Sequence, residues 1–97
     1  MLRCPAIPPP RSTIIVSAAE LTLLEKLDFP CSQHVLATAR PTETGIALEG
    51  TWADLDSLAG WVAGEANHAR RNRRPRQTDL LDGIADQLED VLAAHRR

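Results

Sequence analysis

This 97-residue sequence predicts a small two-layer α+β domain in the order β-α-β-β-α-α, with helices on one face of a short antiparallel sheet. Three observations carry that prediction. A β-branched run, Thr13-Ile14-Ile15-Val16, breaks off into a helix-capping pattern. Two further strand-like segments flank turn chemistry at Pro41-Thr42-Glu43-Thr44-Gly45. Beyond them, two long stretches repeat apolar residues at helical spacing. A mainly helical fold is the alternative, because the strand segments are short and rich in Ala and Thr.

The first strand is favoured because two heavy atoms on each Cβ suit a pleated backbone. Ser17-Ala18-Ala19-Glu20 then reads as a capping box, and Leu21, Leu24 and Leu27 continue at helical spacing. Pro30 disfavours α geometry at Phe29, so the first helix is expected over roughly 18–28. Val35 to Arg40 and Ile46 to Glu49 predict a hairpin with a four- or five-residue loop. Thr51, with Asp54 at the box position, caps a second helix that starts at Trp52. Leu55, Leu58, Ala59, Val62 and Ala66 share one side of that helix, with Trp52 and Ala63 at its margin. Pro75 interrupts the helix at an Arg-rich corner. Thr78 or Asp79 is expected to cap the last helix, whose apolar face carries Leu81, Ile84, Ala85, Leu88, Val91, Leu92 and His95.

Composition narrows the function classes. A chain this short has room for one core, and its 43% hydrophobic and 25% charged residues are those of an ordinary globular protein. Large multi-step enzymes and wholesale disorder are excluded, and no apolar run approaches the ~20 residues that cross a bilayer. Residues 1–12, with Pro5, Pro8, Pro9 and Pro10, read as a stiff extended leader, and 13–97 as the single domain. The leader lacks the apolar core of a secretory signal, so the expected compartment is the cytoplasm. Two cysteines, Cys4 and Cys31, do not make a disulfide framework. Eleven basic against thirteen acidic residues give a net charge of -2, so any pull on nucleic acid must be local. Ten of the eleven basic residues are Arg, which fits a GC-rich, bacterial style of coding as well as it fits guanidinium chemistry.

Three features stand out as candidate sites. Arg70, Arg71, Arg73, Arg74 and Arg76 form a basic patch able to neutralise phosphates, or a solvated corner that pairs within the chain. Asp79, Asp82, Asp86, Glu89 and Asp90 fall within an arc of about 100° on the last helix, where i, i+4 like-charge neighbours oppose helix formation by roughly 0.2–0.5 kcal/mol each. A basic surface would relieve them: this chain's own Arg corner, folded back or supplied by a second copy. Trp61 lies on the polar side of its helix, between Asp54, Ser57, Glu65 and His68. It is either a docking anchor or a residue covered by the last helix, with Gly60 and Gly64 allowing a neighbouring backbone close.

Catalytic and metal patterns are poor. Cys31-Ser32-Gln33-His34 is a lone C-x2-H, without the paired ligands of a zinc site or a third group to orient a nucleophile and its base. Phosphate loops, HExxH and GxSxG are missing. With no Tyr and three aromatics in all, no stacking platform for single strands is evident. The sequence therefore predicts a non-catalytic protein–protein interaction or regulatory module, without metal or cofactor. It would dock a partner protein or a second copy of itself through Trp61, Glu65, Asp82, Asp86 and Asp90. The alternative is a nucleic-acid-binding regulator using the Arg70–Arg76 corner, and a small enzyme ranks third.

Overall fold

The computed structural model describes residues 11–30 and 32–95, with the side chains of the last helix described as far as Ala94. The expected leader as far as Pro10, both cysteines and the His95 side chain lie outside the described residues. The elements are β1 (Arg11–Val16), α1 (Ala18–Leu27), α2 (Ser32–Leu36), β2 (Arg40–Thr42), β3 (Gly45–Thr51), α3 (Trp52–Arg71) and α4 (Pro75–His95). β1 thus takes in Arg11 and Ser12, two residues before the expected strand.

β3 is the central strand, antiparallel to β1 on one side and β2 on the other. The register sets Ile14 opposite Leu48 and Val16 opposite Ile46, so these side chains share one face. That face carries the core: Ile14, Val16 and Leu48 cluster with Leu24 of α1, Leu55, Leu58 and Val62 of α3, and Leu81, Ile84 and Leu88 of α4. Ala47 is also buried, but it pairs with Ile15 and Arg40 on the opposite face and is no part of that cluster. The helices therefore lie on one face of a three-stranded sheet, as the α+β reading predicted.

Both capping boxes form. The Glu20 N–H donates to Ser17 Oγ at 3.1 Å, and the Ser17 N–H donates to Glu20 Oε1 at 2.7 Å. Thr51 and Asp54 reciprocate in the same way at 3.2 and 3.3 Å. α1 ends at Leu27, with Asp28 in the left-handed region at φ 48°. α1 and α4 meet closely at Gly83, where a Cβ would stand 2.5 Å from Glu20 Oε2.

Between α1 and β3 the structure departs from the sequence reading. Val35 and Leu36 belong to the short helix α2, not to a strand, and Val35 is fully buried. The helix is started by Ser32, whose N–H and hydroxyl both donate to the Phe29 carbonyl at 3.0 and 2.8 Å. β2 then supplies only three residues. Beyond its reach Thr38 replaces a strand: its hydroxyl accepts from the Glu49 N–H at 2.7 Å and donates to the Val35 carbonyl at 2.7 Å. The loop is also shorter than expected. Pro41 and Thr42 pair with Ile46 and Gly45, which leaves Glu43-Thr44 as the turn. Pro41 is tolerated because β2 is an edge strand. Gly45 is required there: its φ is 151°, and a Cβ would lie 2.8 Å from the Val16 carbonyl oxygen.

The corner between α3 and α4 corrects the expected cap. Thr78 is interior to α4, its hydroxyl donating to the Arg74 carbonyl at 2.9 Å, and Asp79 follows it in the same helix. α3 closes in a Schellman motif: the Arg73 N–H reaches the Arg70 carbonyl at 3.2 Å and the Arg74 N–H reaches the Ala69 carbonyl at 2.9 Å. Pro75 then opens α4 at a position where no N–H is needed. The left-handed residue of the motif is Arg73, at φ 54°, where glycine is the usual occupant. Arg73→Gly is accordingly expected to raise stability by about 1 kcal/mol. Urea unfolding checks this, and a loss of stability would show that the Arg73 side chain contributes more than its backbone costs.

Candidate functional site

α3 presents three different sides. One is sealed in the core by Leu55, Leu58, Val62, Ala66 and Ala69. A second carries Trp61, and a third runs along α4.

On the Trp61 side the indole stacks on Phe29, with ring centroids 5.8 Å apart and planes inclined by 20°. Phe29 is buried, whereas Trp61 remains 49% exposed. The last helix does not cover it; its cover is the end of the α1–α2 segment. The position follows from local geometry. Asp28 turns the chain in a left-handed conformation and Ser32 folds back on the Phe29 carbonyl, which locks the phenyl ring beneath α3. Glu65, one turn further along α3, is half-buried. Gly60 and Gly64 have open space at their Cβ positions, with no heavy atom of the described residues beyond their own turn of helix within 4 Å.

The third side is the seam along the outside of the α3–α4 pair, and its charge is divided lengthwise. Toward the open end of the helical hairpin it forms a groove of ≈ 750 Å3 lined by Ala59, Gly60, Ala63, Ala85, Leu92 and Ala93 together with Asp56, Glu89 and Asp90. At the corner end lies a depression of ≈ 370 Å3 with Arg70, Arg73 and Arg74 against a single carboxylate, Asp79. Between these ends Arg70 reaches Asp82 at 3.4 Å and also donates to Asn67 Oδ1 at 3.1 Å. The Arg corner therefore folds back onto α4 among the described residues through Arg70. Among the described residues, Arg71, Arg73, Arg74 and Arg76 form no ion pair, and Asp86, Glu89 and Asp90 form none either.

The structure thus separates the residues that sequence reasoning grouped as one partner-binding set. Trp61 belongs to the side facing the α1–α2 segment, with Glu65 one turn further along α3. Asp82, Asp86 and Asp90 belong to α4 and its seam. Phe29 was missed as the support for Trp61: it is the single Phe of the chain, but nothing in its spacing from Trp61 announces the contact. The Arg70–Asp82 pair was missed for the same reason, since only the chain reversal at the corner brings the two together.

The remaining candidates yield little chemistry. His34 is exposed on α2, and His68 Nε2 lies 3.2 Å from Asn72 Nδ2 at the end of α3. Among the described residues no three His, Cys, Asp or Glu side chains converge as a metal site. No described helix is long and apolar enough to cross a membrane.

Arg70 and Asp82 are 58% and 49% exposed, so solvent screens their attraction. A double-mutant cycle with Arg70→Ala and Asp82→Ala is expected to give a coupling of about 0.2–1 kcal/mol that fades with added salt. A salt-independent coupling well above that range would contradict the exposed geometry. In comparisons with protein-family models, curated proteins and solved structures, nothing matches this chain.

Proposed function

We propose that this chain is a non-catalytic protein–protein interaction module of the cytoplasm, which docks a partner protein against its helical layer with Trp61 as anchor. The observation that carries this reading is the half-exposed indole held on a buried phenyl ring. A tryptophan on the polar side of a helix exposes a large apolar area, and stacking on Phe29 removes much of its rotamer freedom beforehand. Binding there loses little side-chain entropy, which is the property that makes such residues hot spots. Glu65 and the Arg corner would contribute orientation and encounter rate more than affinity.

Trp61→Ala is expected to lower stability by only about 1–2 kcal/mol, well short of the ~3–5 kcal/mol for a fully buried tryptophan. The fold stays cooperative. Affinity capture from cell extract with wild type, Trp61→Ala and Trp52→Ala should then identify proteins lost selectively with Trp61→Ala. Identical capture by all three would overturn the anchor.

One observation favours a second reading, a nucleic-acid-binding regulator: four arginines at the α3–α4 corner are exposed and form no ion pair among the described residues. Asp79 beside them, and the acidic seam, repel phosphate. Titration of mixed DNA and RNA at low and moderate salt is expected to show no salt-sensitive binding. A log–log salt slope of about -3 to -4 would instead assign the corner to phosphates.

A further inference from the structure

We propose that the α3–α4 seam binds a second copy of this chain, antiparallel across a two-fold axis, with the basic corner of each copy against the acidic groove of the other. The proposal rests on reading the helical layer as a docking surface, but it uses the side remote from Trp61. Its basis is the charge division of one continuous face. Three carboxylates line the groove at one end with no cation among its lining residues, and at the other end Arg73 and Arg74, which form no ion pair among the described residues, gather beside Asp79 and the Arg70–Asp82 pair. A surface with opposite poles is complementary to itself when one copy is reversed. A parallel arrangement would press arginines on arginines and carboxylates on carboxylates, so charge also selects the orientation.

The dimensions are consistent with this. Asp56 and Arg70 lie fourteen residues apart on α3, or about 21 Å at 1.5 Å per residue. Midway between them is Ala63, where the two-fold axis would pass, and Ala85 lies across the groove on α4. The small residues of α3 in this lining, Ala59, Gly60 and Ala63, permit helix axes to approach to about 8 Å. Gly60 supplies an independent indication. A glycine inside an exposed helix costs about 1 kcal/mol relative to alanine. Yet among the described residues outside its own turn of helix nothing comes within 4 Å of its Cβ position, so its small size serves no contact among them. Asp86 and Asp90, neighbours one turn apart without an ion-pair partner among the described residues, would gain arginines from the second copy.

Magnitude sets the strength. A face about 30 Å long and two helices wide covers roughly 600 Å2 per copy, at the low end for specific association. The dimer is therefore weak and micromolar, and because its contacts are exposed ion pairs it weakens with salt.

Sedimentation equilibrium of the full chain tests this. Wild type should self-associate at low ionic strength and dissociate as salt is raised. The double variant Arg73→Glu/Arg74→Glu should weaken association by about tenfold or more, and so should Glu89→Arg/Asp90→Arg. An equimolar mixture of the two double variants should associate again, because each corner then meets a groove of opposite sign. Combining all four substitutions in one chain should restore the homodimer. Every substituted position is exposed, and circular dichroism with urea unfolding verifies the fold of each variant. Gly60→Leu, which has room within the monomer, should block the seam and weaken association without destabilising the chain. Trp61→Ala should leave self-association unchanged, so failure here and failure of the Trp61 anchor are told apart. A wild type that stays monomeric at high micromolar concentration in low salt overturns the proposal. So does self-association indifferent to the charge reversals, or a mixture that fails to associate; a partner of another kind would then occupy the seam.

Discussion

The structure depends on one buried layer, the contact between the inner face of a three-stranded sheet and the apolar stripes of α3 and α4. Ile14 and Leu48 stand opposite each other on β1 and β3, and Leu55, Leu58, Leu81, Ile84 and Leu88 close over them. Each of these side chains contributes on the order of 1.5–3 kcal/mol on leaving water, which for a domain of this size is the dominant favourable term. Because each helix has a single stripe to bury, the rotation of each about its axis is set, and so is the direction of every remaining side chain. Trp61 is turned toward Phe29, and the carboxylates of α4 are turned along the seam, as consequences of how the leucines are spaced.

The same constraint explains the distribution of charge. Once α3 and α4 are packed side by side and reversed at the Asn72–Arg74 corner, residues distant in sequence share an outer face. Arg70 at the end of α3 and Arg73 and Arg74 of the corner fall together at one pole. Asp56 near the start of α3 and Glu89 and Asp90 near the end of α4 fall together at the other. Among the described residues only Arg70 bridges the division, to Asp82. The left-handed Arg73 belongs to the same pattern, an unfavourable backbone position occupied by a charged residue at the tip of the basic pole.

Local devices were readable where the signal is carried by neighbours within four residues. Ser17 with Glu20 and Thr51 with Asp54 start α1 and α3 where their spacing placed them, and the stripes from Leu55 to Ala66 and from Leu81 to Leu92 are the buried faces. Reading failed where a distant partner decides. Val35 to Arg40 has an ambiguous pattern, and burial of Val35 against α3 together with Thr38 on the Glu49 backbone made it a helical turn and a side-chain substitute for a strand. Thr78 resembles a cap in isolation, but the Schellman turn starts α4 three residues earlier, at Pro75. Of the candidate site, residue identities were legible and groupings were not: Trp61 and the aspartates of α4 looked like one set and belong to two sides.

By itself the sequence determined the two-layer class, the helix starts and the faces that go inward, because capping and amphipathic periodicity are short-range properties of the chain. Only the tertiary structure decided what lies against what: Phe29 beneath Trp61, Arg70 on Asp82, and a seam with opposite charges at its ends. Those contacts follow from how the chain reverses at Asp28 and at Asn72–Arg74. Their partners are 12 and 32 residues apart, beyond the reach of any local pattern, and they are brought together by burial of the common core.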